Sequence, residues 1–223
     1  MGKLSIVATP IGNLGDITLR ALETLKACDV IYAEDTRVIS KLLARYEIKK
    51  SLQRIDAATE LKKADEIITR LEVGEHVVLV SDAGTPCISD PGARLVAQVR
   101  EQLPGVKIET IPGPSALTAA LSIAGIDTTE FTFLGFLPHK KGRQTALKKI
   151  AASDIPIMLY ESPHRIVKLL KELEALHIPR IIIARELTKI HEEIISGTPN
   201  GILAHFVEHP DAVRGEFVVI VAP

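Results

Sequence analysis

The chain has 223 residues, 46% of them hydrophobic and 25% charged, with a formal net charge of −1. That length permits one or two domains with a substantial buried core. The composition excludes a disordered chain, and the charge confines any nucleic-acid binding to a local patch.

Only 4% of residues are aromatic and tryptophan is absent, so no base-stacking platform is evident. The two cysteines, Cys28 and Cys87, lack metal-ligand spacing and read as small buried hydrophobes. No metal site is expected. No apolar run approaches the roughly 20 residues that span a bilayer, and no signal peptide precedes the first strand. The expectation is a cytoplasmic protein with no membrane partner.

In chain order, short β-branched runs predict strands over 4–8, 30–33, 76–80, 106–111, 156–160, 180–184 and 216–221. Helical periods lie between most of them, such as Ile17, Ala21, Leu22 and Leu25, or Ile166, Leu169, Leu170, Leu173 and Leu176. This alternation predicts an α/β fold with largely parallel sheets. The turn and small-residue helix in "IPGPSALTAALSIAG" mark a boundary near residue 115, giving domains over 1–115 and 116–223, with Ser115 as the helix N-cap.

The informative residues follow the strand ends: "TPIGNLGD", "EDTR", "SDAGTPCISDPG", "PGPS", "YESPHR" and "RELTK". Ligands of open α/β sheets bind at such ends. The first loop has neither the P-loop nor the dinucleotide glycine spacing, only Gly12-x-x-Gly15. Pro10 and Gly12 leave its backbone open to a ligand, and Asp16 is expected to cap the next helix. Asp82, at a strand end, suits a ribose hydroxyl or an amino group, while Asp90 reads as a turn residue or an N-cap.

Two groups of cations stand out. Arg37, Lys41, Arg45 and Lys49 recur every four residues, a single stripe if helical. "HKKGRQTALKK" adds His139, Lys140, Lys141, Arg143, Lys148 and Lys149. Either fits a solvated helix face. Flanking motif loops together, they fit contacts to RNA phosphates.

Taken together, "TPIGNLGDIT", "AEDTR", "VSDAGTPCISDPG", "IPGPSA", "GFLPHKKGR", "YESPHR" and "ARELTK" resemble the tetrapyrrole methylase superfamily, in matching order from about residue 4 to residue 221. The resemblance is closest to its ribosomal branch. It implies two α/β domains of the tetrapyrrole methylase type, with S-adenosyl-L-methionine in the interdomain cleft and a homodimer as the assembly. The implied reaction is 2′-O-ribose methylation of a cytidine in 16S rRNA, either free or in the assembled small ribosomal subunit. The implied cofactor-binding positions are Pro10, Gly12, Asp82, Thr85, Ser115, Ala116, Leu159, Tyr160, Ala184, Gly215 and Glu216.

Methyl transfer from a sulfonium is an in-line displacement, and a ribose hydroxyl is a poor nucleophile that benefits from a base. Glu34, Asp35, Glu161 and Glu186 are the catalytic candidates, with Arg37, Lys41, Arg45, Lys140, Lys141 and Arg143 as RNA contacts. Arg165, Arg185 and Lys189 are further cations at strand ends. The ribosomal pattern carries "HEHNE" where "IDAATE" (55–60) keeps only Glu60, and its members commonly continue as a helical extension beyond the position of Pro223. Sister families methylate tetrapyrroles or a modified protein side chain. A non-catalytic S-adenosyl-ligand-binding module is the remaining alternative.

Overall fold

Short apolar runs bounded by polar turns form the strands of two separate sheets in the computed structural model, which describes residues 2–223. The chain divides into two units, one ending at Ser115 and the other running from Ala116 to Pro223.

The first unit runs β1 (Lys3–Val7), α1 (Leu19–Ala27), β2 (Val30–Ala33), α2 (Thr36–Arg45), β3 (Ser51–Arg54), α3 (Glu60–Glu72), β4 (His76–Val80), α4 (Ala93–Gln102) and β5 (Lys107–Ile111). Its strands lie in the order β3-β2-β4-β1-β5, every pair parallel. Such a sheet needs cover on both faces. Ala21 and Leu25 of α1 and Ile39, Leu42 and Leu43 of α2 pack with Val7, Ile31 and Val78 on one face. Ala64, Ile67 and Leu71 of α3 and Leu95 and Val99 of α4 pack with Leu4, Tyr32 and Leu79 on the other. The connections leaving β1 and β2 therefore pass over one face and the connection leaving β4 over the other. In an open sheet this is the arrangement that opens a crevice at the strands' carboxyl ends.

Local details depart from the sequence reading. Thr18, not Asp16, caps α1, its hydroxyl accepting from the Ala21 amide. Asp16 instead ends a short 3-10 turn started by Asn13, so it lies outside the helix it was expected to start. Lys49 lies beyond the end of α2 and leaves the stripe, while Arg37, Lys41 and Arg45 share the exposed face of that helix. The strand β3 has no apolar signature: "SLQR" is a half-exposed edge strand.

The start of α4 is capped from outside. Its N-cap is Gly92, at φ 130°, which offers no side chain. Glu60, 5% exposed at the first position of α3, places one carboxylate oxygen against the amides of Gly92, Arg94 and Leu95 at 2.9, 3.0 and 3.1 Å. An anion at a helix N-terminus satisfies amides that have no partner within the helix and opposes the positive end of its dipole.

The second unit runs α5 (Ala116–Ile123), β6 (Thr132–Phe136), α6 (Arg143–Ala151), β7 (Ile157–Glu161), α7 (Ile166–Ala175), β8 (Arg180–Arg185), β9 (Glu193–Gly197), α8 (Pro199–Glu208) and β10 (Phe217–Ala222). Its order is β6-β7-β10-β8-β9. Only β6 and β7 pair in parallel; β10 runs antiparallel to β7 and β8, and β9 antiparallel to β8. The expectation of largely parallel sheets therefore holds for the first unit and not for this one, where β8 and β9 form a hairpin. α6, α7 and α8 cover one face through Leu147, Leu169, Leu173 and Phe206. Among the described residues, no helix is long and apolar enough to cross a membrane.

Glu60→Ala leaves three helix-terminal amides without their acceptor and should lower unfolding free energy by about 2–4 kcal/mol in urea titration. Glu60→Gln keeps one acceptor oxygen and should recover at least half of that loss.

Candidate functional site

At the carboxyl edge of the first sheet, the loop after β4 is tied to each neighbouring loop. Thr9 and Gly84 exchange backbone hydrogen bonds at 2.9 and 3.0 Å, an isolated antiparallel bridge between the loops after β1 and β4. The Thr9 hydroxyl donates to the Ser81 carbonyl. The Asp35 amide donates to Asp82 Oδ1 at 2.9 Å, joining the loop after β2. The Thr85 hydroxyl donates to the Pro114 carbonyl at 3.2 Å, joining the loop after β5. Gly84 sits at φ 78°, a conformation that side-chain-bearing residues rarely adopt, and a Cβ there would crowd Ile11 Cγ2 at 3.2 Å. Pro10, Asp82, Thr85 and Ser115 thus meet at one edge; Gly12 lies exposed on the same first loop.

The charge here is one-sided. The loops after β1, β4 and β5 contain no lysine or arginine. Glu34 sits just past β2, partly buried, and its carboxylate has no hydrogen-bond or ion-pair partner among the described residues. Burial, then Asp82, Asp90 and Asp56, push its pKa above the ordinary value, against a smaller opposing effect of Arg54. Burial, and then Asp82, also raise Asp90. Such an edge disfavours phosphate and suits a neutral or cationic ligand with hydroxyl and amino groups, which is the donor chemistry of S-adenosyl-L-methionine.

Asp35 is not available for proton transfer. It caps α2 by accepting from the Arg37 amide and holds the Arg37 guanidinium in a two-pronged pair. Those hydrogen bonds bring its pKa down to about 2. Arg37 is correspondingly engaged, whereas Lys41 and Arg45 project freely into solvent.

The second sheet brings the ends of β6, β7 and β8 to one edge. Tyr160, Val218 and Ala184 stand side by side across β7, β10 and β8, on the face away from α6, α7 and α8. Leu159 points the other way, fully buried in the helix-covered core, so its side chain cannot line a site. Gly215 and Glu216 precede β10. The Glu186 carboxylate lies over Gly215 (φ 96°), where a Cβ would overlap it. It accepts from the Glu216 amide at 2.9 Å and pairs with Lys189 at 2.8 Å, and Lys189 also reaches Glu216. Burial opposes its charge, but the hydrogen bonds from Lys189 and Glu216 outweigh burial and lower its pKa. Glu186 is a tie between β8 and β10, not a free base.

Glu161 is likewise structural. It is 2% exposed, accepts from the Ser162 amide and lies 3.3 Å from Arg165 Nε, with its second oxygen buried and without a hydrogen bond. Arg165 in turn donates to the Leu137 carbonyl at 2.5 Å. Arg143 was read as an RNA contact, and burial removes it from that role. It is 4% exposed, paired with Glu172 through Nε and Nη2, and donates to the Pro138 carbonyl. The two arginines clamp the backbone before Lys140 and Lys141, which remain exposed. Thr9 was not among the sequence candidates, and Gly84 was one only as a turn residue beside Thr85.

Among the described residues no group of three or more His, Cys, Asp or Glu could hold a metal ion. Residues 3–200 match the family model for tetrapyrrole (corrin/porphyrin) methylases. The Ribosomal RNA small subunit methyltransferase I of Thermotoga maritima is 43% identical over 223 residues, 100% of this chain and 99% of its own length. The protein of that name from Neisseria meningitidis serogroup B is 44% identical over 224 residues, covering 100% of this chain and 76% of its own. A solved structure of diphthine synthase superposes at TM-score 0.75 with 15% identity, covering 100% of this chain and 90% of that one, a likeness of fold.

Arg143→Ala strands the Glu172 carboxylate and should cost about 3–5 kcal/mol in chemical denaturation. Lys140→Ala and Lys141→Ala should each stay within about 0.5 kcal/mol of the parent.

Proposed function

The chain belongs to the tetrapyrrole (corrin/porphyrin) methylase family, and from that premise we propose that it methylates the ribose 2′-hydroxyl of a cytidine in 16S small-subunit rRNA. The observation that carries this reading is the likeness, over the whole chain, to relatives named Ribosomal RNA small subunit methyltransferase I. Tetrapyrrole, protein side-chain and non-catalytic alternatives are not favoured, since diphthine synthase, the solved likeness of fold, is only 15% identical.

S-adenosyl-L-methionine supplies an electrophilic methyl group on a positively charged sulfur. Pro10, Gly12, Asp82, Thr85, Ser115 and Ala116 are the residues of the first edge and the unit boundary that would hold it. The resemblance also implies Tyr160, Ala184, Gly215 and Glu216, which lie at the edge of the second sheet. The absence of cations from the loops after β1, β4 and β5 supports a sulfonium over a phosphate-bearing ligand. The protein's task is alignment of the acceptor oxygen with the methyl carbon, at about 3–3.5 Å.

Glu34 is the proposed general base. Of the four carboxylates considered, it is the one without an internal partner, and its raised pKa makes it a better proton acceptor than an ordinary glutamate. Lys41, Arg45, Lys140 and Lys141 are the proposed phosphate contacts, which makes RNA binding fall with salt. The assembly proposed is a homodimer acting in the cytoplasm.

The test uses labelled S-adenosyl-L-methionine and small subunits lacking ribose methylation, followed by mapping of the label. Transfer to a cytidine ribose is expected. Measurable cofactor binding without transfer to rRNA would overturn the reading.

Glu34→Gln should lower kcat by about 10²–10⁴-fold with cofactor affinity retained. In the parent, kcat/KM should fall as pH drops through a midpoint above 4.5, since protonated Glu34 cannot accept a proton. The stability effect has the opposite sense. A carboxyl whose pKa rises on folding favours the native state at low pH and loses that contribution as pH rises through the folded pKa. Glu34→Gln should therefore raise Tm at neutral pH while it lowers activity.

A further inference from the structure

We propose that Phe136, backed by Tyr160, is a stacking platform for an unpaired nucleobase of the RNA acceptor; the proposal rests on the RNA-methyltransferase reading above. In a regular strand, residues three apart point to opposite faces. Here the pairing of β6 with β7 slips between Phe133 and Phe136, and Gly135 adopts φ 62°. The bulge brings Phe133 and Phe136 to the same face as Tyr160. Bulges of this kind re-aim side chains next to functional sites.

The result is a ring cluster. Phe133 meets Tyr160 edge-on with centroids 4.9 Å apart, and Phe136 meets Tyr160 at 5.7 Å. Two of the five phenylalanines and one of the three tyrosines are gathered here, in a chain with no tryptophan. Phe136 is 53% exposed, so the ring held by Tyr160 still offers surface to solvent.

Charge decides between possible occupants. The residues after Phe136 form the loop clamped at Leu137 by Arg165 and at Pro138 by Arg143. Lys140 and Lys141 therefore leave a fixed backbone four and five residues beyond the ring, within about 18 Å of chain. A π-face beside exposed cations matches single-stranded RNA, whose splayed bases stack on aromatic side chains while the backbone meets lysines. In a two-fold contact between copies of this chain centred on Phe136, the same lysines of both copies would approach one another.

Phe136→Trp gives the chain its only tryptophan and hence a reporter at the platform. With cofactor bound, unmethylated small-subunit RNA should bind this variant at least as tightly as the parent and quench its emission. Phe136→Leu keeps the apolar volume without the π-face, and should weaken RNA binding about 5- to 150-fold. Its salt slope, cofactor affinity and Tm should stay at parental values. Lys140→Ala and Lys141→Ala should instead each reduce the slope by about 1.

Parental RNA affinity in Phe136→Leu, or unquenched emission in RNA-bound Phe136→Trp, would overturn the platform alone. So would emission that shifts with protein concentration in the absence of RNA, which would mark an interface between copies. Absence of RNA binding in the parent removes the functional reading and the platform with it.

Discussion

The bridge between Thr9 and Gly84 is the constraint on which the first edge depends. The loops after β1 and β4 leave the sheet toward opposite faces, and nothing in the helix packing below would hold their tips together. Two backbone hydrogen bonds do so, at a residue whose φ of 78° favours glycine. Once Gly84 is held, Asp82 can accept from Asp35 on one side and Thr85 can reach Pro114 on the other. Four loops become one surface, and a partly buried Glu34 is left facing other carboxylates.

Strands buried on both faces were legible because burial selects apolar, β-branched residues: "HVVLV" and "RIIIA" read as strands at sight. The edge strands β3 and β9 were not. "SLQR" and "EIISG" have little to bury, so their periodicity is indistinct. The mixed pairing of the second sheet was equally hidden, since β10 reads the same whether its neighbours run parallel or antiparallel to it.

The motif positions at the site were legible as positions and not as roles. A carboxylate or guanidinium looks alike in sequence whether it faces a ligand or ties two strands. Asp35 caps a helix, Glu186 holds Gly215 and Glu216, and Arg143 and Arg165 grip carbonyls of a loop. Each uses its charge internally. Glu34, Lys140 and Lys141 differ only in having no such partner, a property of the fold that spacing cannot encode. The low aromatic content gave no sign that a bulge gathers three rings from two strands.

The central place of β10 has a consequence for biosynthesis. All five strands of the first sheet are made before residue 116, and each connects through a helix to a near neighbour, so that unit can close while the remainder is still being translated. The second sheet cannot. Its middle strand is the last to be synthesised, and until Phe217–Ala222 emerge, β7 and β8 each present an unpaired apolar edge. A nascent chain of this protein therefore carries a finished half and an aggregation-prone half, and the interval between them is set by elongation.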